Sequence, residues 1–250
     1  TQYETVMNGN SEGLNATPSN WPNNDDRPVE KVSWNDAQIF LSRLNSIEQT
    51  AGRLPSGWKY VLPTEAEWEY ACRAGTSTAY SWGNTISPGD ANWDHGNDAN
   101  QTMTVGQYSA NPWGFYDMHG NVWEWVSDWF SIYPNHPLVD PLGAVTPSKR
   151  IMRGGGFQST DLKSANRFRK FPNERHGSLG FRVAFEAIQP DLANPEFTLT
   201  GTTTITHSAG MPFVDPGAEA HDVRDGNLTD QVTVTGTVDV NSTGTYVLTY

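Results

Sequence analysis

The residues best suited to chemistry lie between Asp117 and Glu124. The stretch Asp117-Met-His-Gly-Asn-Val-Trp-Glu124 sets two carboxylates about a Gly-Asn turn. Calcium takes roughly six to eight hard oxygen ligands, often carboxylates mixed with backbone carbonyls on a tight loop. This segment supplies both kinds. The plainer alternative is that Glu124 pairs with an arginine and Asp117 caps a turn. Asp222 and Asp225 form a weaker oxygen cluster further on.

Other chemistries have less to work with. The six histidines are His95, His119, His136, His176, His207 and His221, and no two stand at the H-x-x-x-H spacing of a metal site. Most read as surface residues. A metal site assembled from distant loops stays open. Cys72 is the single cysteine, so no intrachain disulfide is possible. On a helix it reads as a small buried apolar residue. No glycine-rich phosphate loop follows a strand, and no Gly-x-Ser-x-Gly elbow is present.

The elements that must position these residues are short. Ser33 with Asp36, and Thr64 with Glu67, are capping-box patterns that start helices. Ala37, Phe40, Leu41, Leu44 and Ile47 recur at helical spacing after the first, which fades before Gly52. Trp68, Ala71 and Cys72 line the second, and Gly75 stops it. From Gly75 to Phe185 short strands and loops are expected. By the period of two, Trp123 and Trp125 share one face of a strand and Glu124 takes the other. Gly154 to Gly156 let backbone approach backbone. Arg153, Arg167 and Arg182 suit carbonyls or carboxylates in a loop-rich core.

The composition changes near residue 187. All ten tryptophans fall between Trp21 and Trp129, whereas Thr and Val dominate the far end. A Pro-bearing connector, 187–195, separates the two parts. Segments 197–200, 231–235 and 245–250 alternate at period two, the pattern of a small β-sandwich. The formal charge of −12 argues against a nucleic-acid partner. No run of about 18 apolar residues suggests a membrane span.

Four segments together carry a resemblance. They are Pro28–Ala37 (PVEKVSWNDA), Leu62–Gly75 (LPTEAEWEYACRAG), Asn111–Trp125 (NPWGFYDMHGNVWEW), and Arg153–Phe157 (RGGGF) with Ser164–Arg167 and Leu179–Arg182. In this order and spacing they resemble the sulfatase-modifying-factor, or formylglycine-generating-enzyme, family over residues 1–186. The resemblance implies an α+β fold of irregular, C-type-lectin-like form. Thr1–Met7 resembles the family's first helix, which implies that the chain begins inside the domain. Residues 196–250 resemble bacterial surface immunoglobulin-like repeats and imply a small all-β sandwich, trimmed at its far end.

The resemblance also bears on the site. Family members that oxidise cysteine to formylglycine use a cysteine pair, since soft thiolates hold Cu(I). Laid over this sequence, the pair falls on Ser159 and Ser164, so copper and that activity are not expected. The calcium ligands it implies are the Asp117 carboxylate, the Gly120 and Val122 carbonyls, and Glu124. A second implied calcium site begins at Asn92-Trp93 and draws on the loop with Asn97, Asp98 and Asn100. The resulting expectation is a non-catalytic, calcium-stabilised binding or architectural module of an exported multidomain bacterial protein. It would be extracellular or on the cell surface, with a protein or glycan ligand and neighbouring domains as partners. The alternative is an oxidative enzyme of the same superfamily with an unrecognised metal site.

Overall fold

Two of the helices start where the sequence places capping boxes. In the computed structural model, which describes residues 1–22, 24–95, 100–133, 135, 148–188, 196–222 and 226–250, the chain divides into Thr1–Ile188 and Gln189–Tyr250. In the first unit, helix α1 spans Gln2–Met7 and is capped by Thr1. Helix α2 spans Trp34–Thr50, where Ser33 Oγ accepts from Asp36 N and the Asp36 carboxylate accepts from Ser33 N. Helix α3 spans Glu65–Arg73 with the same reciprocal pair between Thr64 and Glu67. Ala74 ends α3 in the left-handed region at φ 48°, and Gly75 follows at 86°.

Strands β1 (Trp58–Val61) and β6 (Ala184–Ala187) form an antiparallel pair. The main sheet has the order β4–β3–β2–β5, with β2 at Trp123–Trp129, β3 at Arg150–Arg153, β4 at Arg167–Lys170 and β5 at Leu179–Phe181. Strands β2, β3 and β4 pair antiparallel, and β5 runs parallel to β2. The α+β fold expected from the sequence is therefore present.

Both faces of this sheet are covered. Trp125, Met152 and Leu179 pack with Tyr3, Val6 and Met7 of α1 and with Phe40 and Leu41 of α2. Val126 and Ile151 face the other way, onto Trp68 and Cys72 of α3. Strand alternation thus puts Glu124 opposite Trp123 and Trp125, as expected, on the face that packs on α3, where it is buried. Ile47, expected on the apolar stripe of α2, is exposed, because the stripe outruns the sheet it packs on.

The second unit contains one antiparallel sheet, β7 (Glu196–Leu199), β8 (Ala218–Asp222) and β9 (Gly226–Asn227). This is a correction to the expected strand positions. Of segments 231–235 and 245–250, only a Thr235–Thr249 bridge forms, and β8 arises where no strand was read. The cause is local. Ala218-Glu-Ala-His-Asp222 lacks branched apolar residues and gains its strand character from pairing with Phe197 and its neighbours.

Loops in the first unit are fitted by close backbone contacts. Gly120 has φ 90°, and a Cβ there would lie 2.4 Å from the Asn92 carbonyl oxygen. Gly120→Ala should therefore destabilise the domain by about 2 kcal/mol or more. Gly89→Ala, with open space and ordinary φ, should stay within about 0.5 kcal/mol. Urea denaturation of the two variants checks this contrast.

Candidate functional site

Glu124 sits where α3 meets β2. Trp68 Nε1 donates to Glu124 Oε2 at 2.7 Å. Arg182, just past β5, forks onto the same carboxylate, with Nε 2.5 Å from Oε2 and Nη2 2.6 Å from Oε1. Arg182 Nη2 also donates to the Tyr116 carbonyl at 3.1 Å. The bidentate geometry fixes both the strand end and the preceding loop.

Asp117 lies on that loop at φ 56°, and Asn121 stands at 67°. The Asp117 Oδ2 accepts from Gly106 N at 2.7 Å. Burial holds its carboxyl above the usual carboxylate range, and the nearby Glu124 charge adds to this, while Gly106 N–H and Arg182 oppose it. Asp117 and Glu124 are thus near enough for their charges to oppose each other. That arrangement fits a cation in part. Arg182 already supplies Glu124 with a counter-charge, so a calcium ion would have to share the carboxylate with it.

Asn92 is buried and integrated with the same turn. Its carbonyl accepts from Asn121 N at 2.8 Å. Its Nδ2 donates to the Gln101 carbonyl at 3.1 Å and reaches Asn121 Oδ1 at 3.3 Å. Trp93 is half-buried, with Nε1 3.4 Å from the Ser87 carbonyl. Asn100 is exposed. Asn97, Asp98, His136 and Asp225 lie outside the described residues, as does the connector 189–195. Among the described residues no group of three or more His, Cys, Asp or Glu side chains is placed to hold a metal ion.

The serine positions differ from each other. Ser159 is half-exposed, and its Oγ accepts from Gly156 N at 3.0 Å. Ser164 is wholly buried, with its amide on the Ala79 carbonyl and its own carbonyl taken by Arg153 Nη2 at 2.8 Å. Its hydroxyl has no hydrogen-bond partner of good geometry, yet lies near the thiol of Cys72. The fold therefore brings Cys72 beside the second serine, a contact that sequence distance concealed.

His119 completes this buried group, an exception to the mostly surface histidines expected. Its Nδ1 lies 2.8 Å from the Leu162 carbonyl, which can only accept, so Nδ1 carries the proton. Its Nε2 accepts from Ser81 N at 3.2 Å and lies 3.5 Å from Cys72 Sγ. The Nε2 lone pair is thus in use, and burial keeps the ring neutral by lowering its pKa. The helix pattern around Cys72 gave no sign of a histidine partner.

A model of the sulfatase-modifying factor enzyme 1-like domain matches residues 1–187. The chain belongs to this family. A model of the bacterial surface protein Ig-like domain matches residues 197–250. The chain is 37% identical over 197 residues to a formylglycine-generating enzyme of Streptomyces coelicolor, covering 70% of this chain and 57% of that enzyme. It is 32% identical over 176 residues to the Mus musculus formylglycine-generating enzyme, covering 63% and 44%. It thus spans about half the length of these curated relatives. Among solved structures, Treponema denticola variable protein 1 superposes with TM-score 0.59 at 26% identity, covering 72% of this chain and 79% of that one. PvdO from Pseudomonas aeruginosa gives 0.55 at 30%, covering 64% and 62%.

Cys72 is poorly suited to nucleophilic or redox work. Burial pushes its thiol up to about 11, against the opposing pull of Ser164 and Arg153. At pH 8 roughly one thiol in a thousand is ionised, and the thiolate is the reactive form. Native protein should therefore leave a disulfide reagent such as DTNB unreacted at pH 8, and denaturant should release one thiol equivalent per chain. Rapid native reaction would show an accessible, activated cysteine.

Proposed function

We propose that the chain is a non-catalytic, calcium-stabilised binding or architectural module of an exported multidomain bacterial protein. The observation that carries this reading is the pair Ser159 and Ser164 at the positions the family resemblance gives to the oxidase cysteines. Hydroxyls are hard donors and do not replace thiolates on Cu(I). Cys72, the one thiol, is buried against His119, and the sequence holds no second cysteine to pair with it. The family scaffold is kept around this altered pair, with loops available as a binding face. The surface Ig-like match of the second unit supports a place outside the cell, and no helix of the described residues is long and apolar enough to cross a membrane.

The rival reading is an oxidative enzyme with another metal site. It is favoured by the curated relatives that are formylglycine-generating enzymes. Redox-active iron or copper found in the purified protein by elemental analysis would favour the rival, and its absence the module; a second assay tests the family's own oxidation. Full-length chain incubated aerobically with copper and a peptide carrying Cys-x-Pro-x-Arg should leave the cysteine unchanged by mass spectrometry. Aldehyde at that cysteine would overturn the proposal.

Calcium would be held by the Asp117 carboxylate, the Gly120 and Val122 carbonyls, and Glu124 shared with Arg182. Asn92, Trp93, Asp98 and Asn100 would form a second, weaker site. A ligand that binds only the native state stabilises it by about 2.7 kcal/mol at a hundredfold excess over Kd. At such a gain, excess EDTA should lower the melting temperature of the first unit by roughly 5–11 °C, with little change in the second. Glu124→Gln should blunt the response. An unaltered melting curve, with no calcium in the purified protein, would reduce the segment to a plain turn.

A further inference from the structure

Half of the chain's 16 lysines and arginines fall between residues 149 and 175, opposed there only by Asp161 and Glu174. In a chain of net charge −12 this is a local reversal of sign. The fold gathers part of it along β4, the edge strand of the main sheet, and the adjoining end of β3. There, cations and rings alternate. Lys149 Nζ sits 4.6 Å from the Phe171 ring centre. The Arg169 guanidinium is 3.8 Å from Phe130. Arg167 is 4.9 Å from Phe130 and 4.0 Å from Tyr133.

These cations are not equivalent. Arg167 is spent on Glu65, with Nε and Nη2 at 2.8 and 2.6 Å from its two oxygens. Neither Lys149 nor Arg169 forms an ion pair among the described residues, and Arg169 is exposed. Lys149 lies near enough to Glu174 to help hold its carboxyl below the usual range, while Glu174 pairs with Lys170 at 3.0 Å. Phe168 on the opposite face of β4 is exposed too. Among the described residues no strand pairs with the outer side of β4.

We propose that this edge docks an extended acidic peptide segment of a protein partner, which adds alongside β4 and sets its carboxylates against Arg169 and Lys149. The inference rests on the binding-module reading and names its partner class. An edge strand offers a row of backbone donors and acceptors that another strand satisfies. A glycan or a membrane surface cannot match that row. The rings of Phe130 and Phe171 lie against the cations rather than free for sugar or base stacking. The β4 cations also oppose pairing with the β4 of a second copy, so the edge selects an acidic partner over itself.

The probe is a labelled peptide of alternating glutamate and valine, titrated onto the full chain by fluorescence anisotropy at low and high salt. Saturable binding is expected, weakened about tenfold or more by salt, since the contacts are between exposed charges. Lys149→Glu with Arg169→Glu should weaken it by a similar factor, and Arg169→Gln by less. Unchanged melting curves will show that the variants are folded. The same peptide with alternate amides N-methylated should lose binding, because its strand hydrogen bonds are blocked. A lysine–valine peptide should not bind. No binding of the glutamate peptide, or equal binding of its N-methylated form, overturns the inference. So does preferential binding of a sulfated polysaccharide at the same residues. None of these outcomes alters the aldehyde assay, so failure here is distinct from failure of the module reading.

Discussion

The first unit is held together by Arg153 more than by any regular element. This side chain is wholly buried at the end of β3. Its Nη1 donates to the carbonyls of Ala165 and Asn166 at 3.0 and 2.7 Å, and its Nη2 to that of Ser164 and to Glu69 of α3. Glu65, one turn earlier, lies 3.6 Å away, and the guanidinium passes 5.3 Å from the Trp68 ring. One cation thus joins the sheet, a helix and the loop that carries Ser164. A buried charge is tolerated only when paired and hydrogen-bonded, which makes the arrangement of its partners a condition of folding.

The same device recurs along α3 and β2. Arg167 grips Glu65, and Arg182 grips Glu124. Together the three arginines hold loops that have few backbone ladders of their own. Function inherits this rigidity. Ser164, His119 and Cys72 form a buried group beside the Arg153 clamp, which takes the Ser164 carbonyl. The parts left accessible are the outer strand β4 and the aromatic loops, where Trp82 and Trp113 are exposed. A scaffold that fixes its loops so firmly is suited to the recognition role proposed above.

The legible part of this molecule was local. Capping boxes at Ser33 and Thr64, the extended segment at Trp123–Trp125 and the need for Arg153, Arg167 and Arg182 to find carboxylates or carbonyls all follow from short-range pattern and residue chemistry. The contacts that define the candidate site do not. Cys72 meets His119 and Ser164 across 47 and more residues, joined by loops whose course no periodicity reports. Glu124 illustrates the boundary. Alternation told which face it takes, but only the packing of α3 buries that face. In the second unit, β8 forms from a sequence of low strand propensity because Phe197 and its neighbours supply a partner. There pairing overrides propensity.

The central claim is that one buried arginine organises a loop-rich domain, and replacing it tests this directly. Arg153→Met keeps bulk but leaves the Glu69 carboxylate and three carbonyls without their donor. Breaking a buried pair from one side typically destabilises by about 3–5 kcal/mol. The measurement is equilibrium urea unfolding of the first unit within the full chain, followed by tryptophan fluorescence, for wild type, Arg153→Met and Arg153→Met with Glu69→Gln. The account predicts a loss in that range for the single variant. The double variant should recover only in part, because the carbonyls of residues 164–166 stay unsatisfied. A loss under about 1 kcal/mol for Arg153→Met, with unchanged cooperativity, would contradict it.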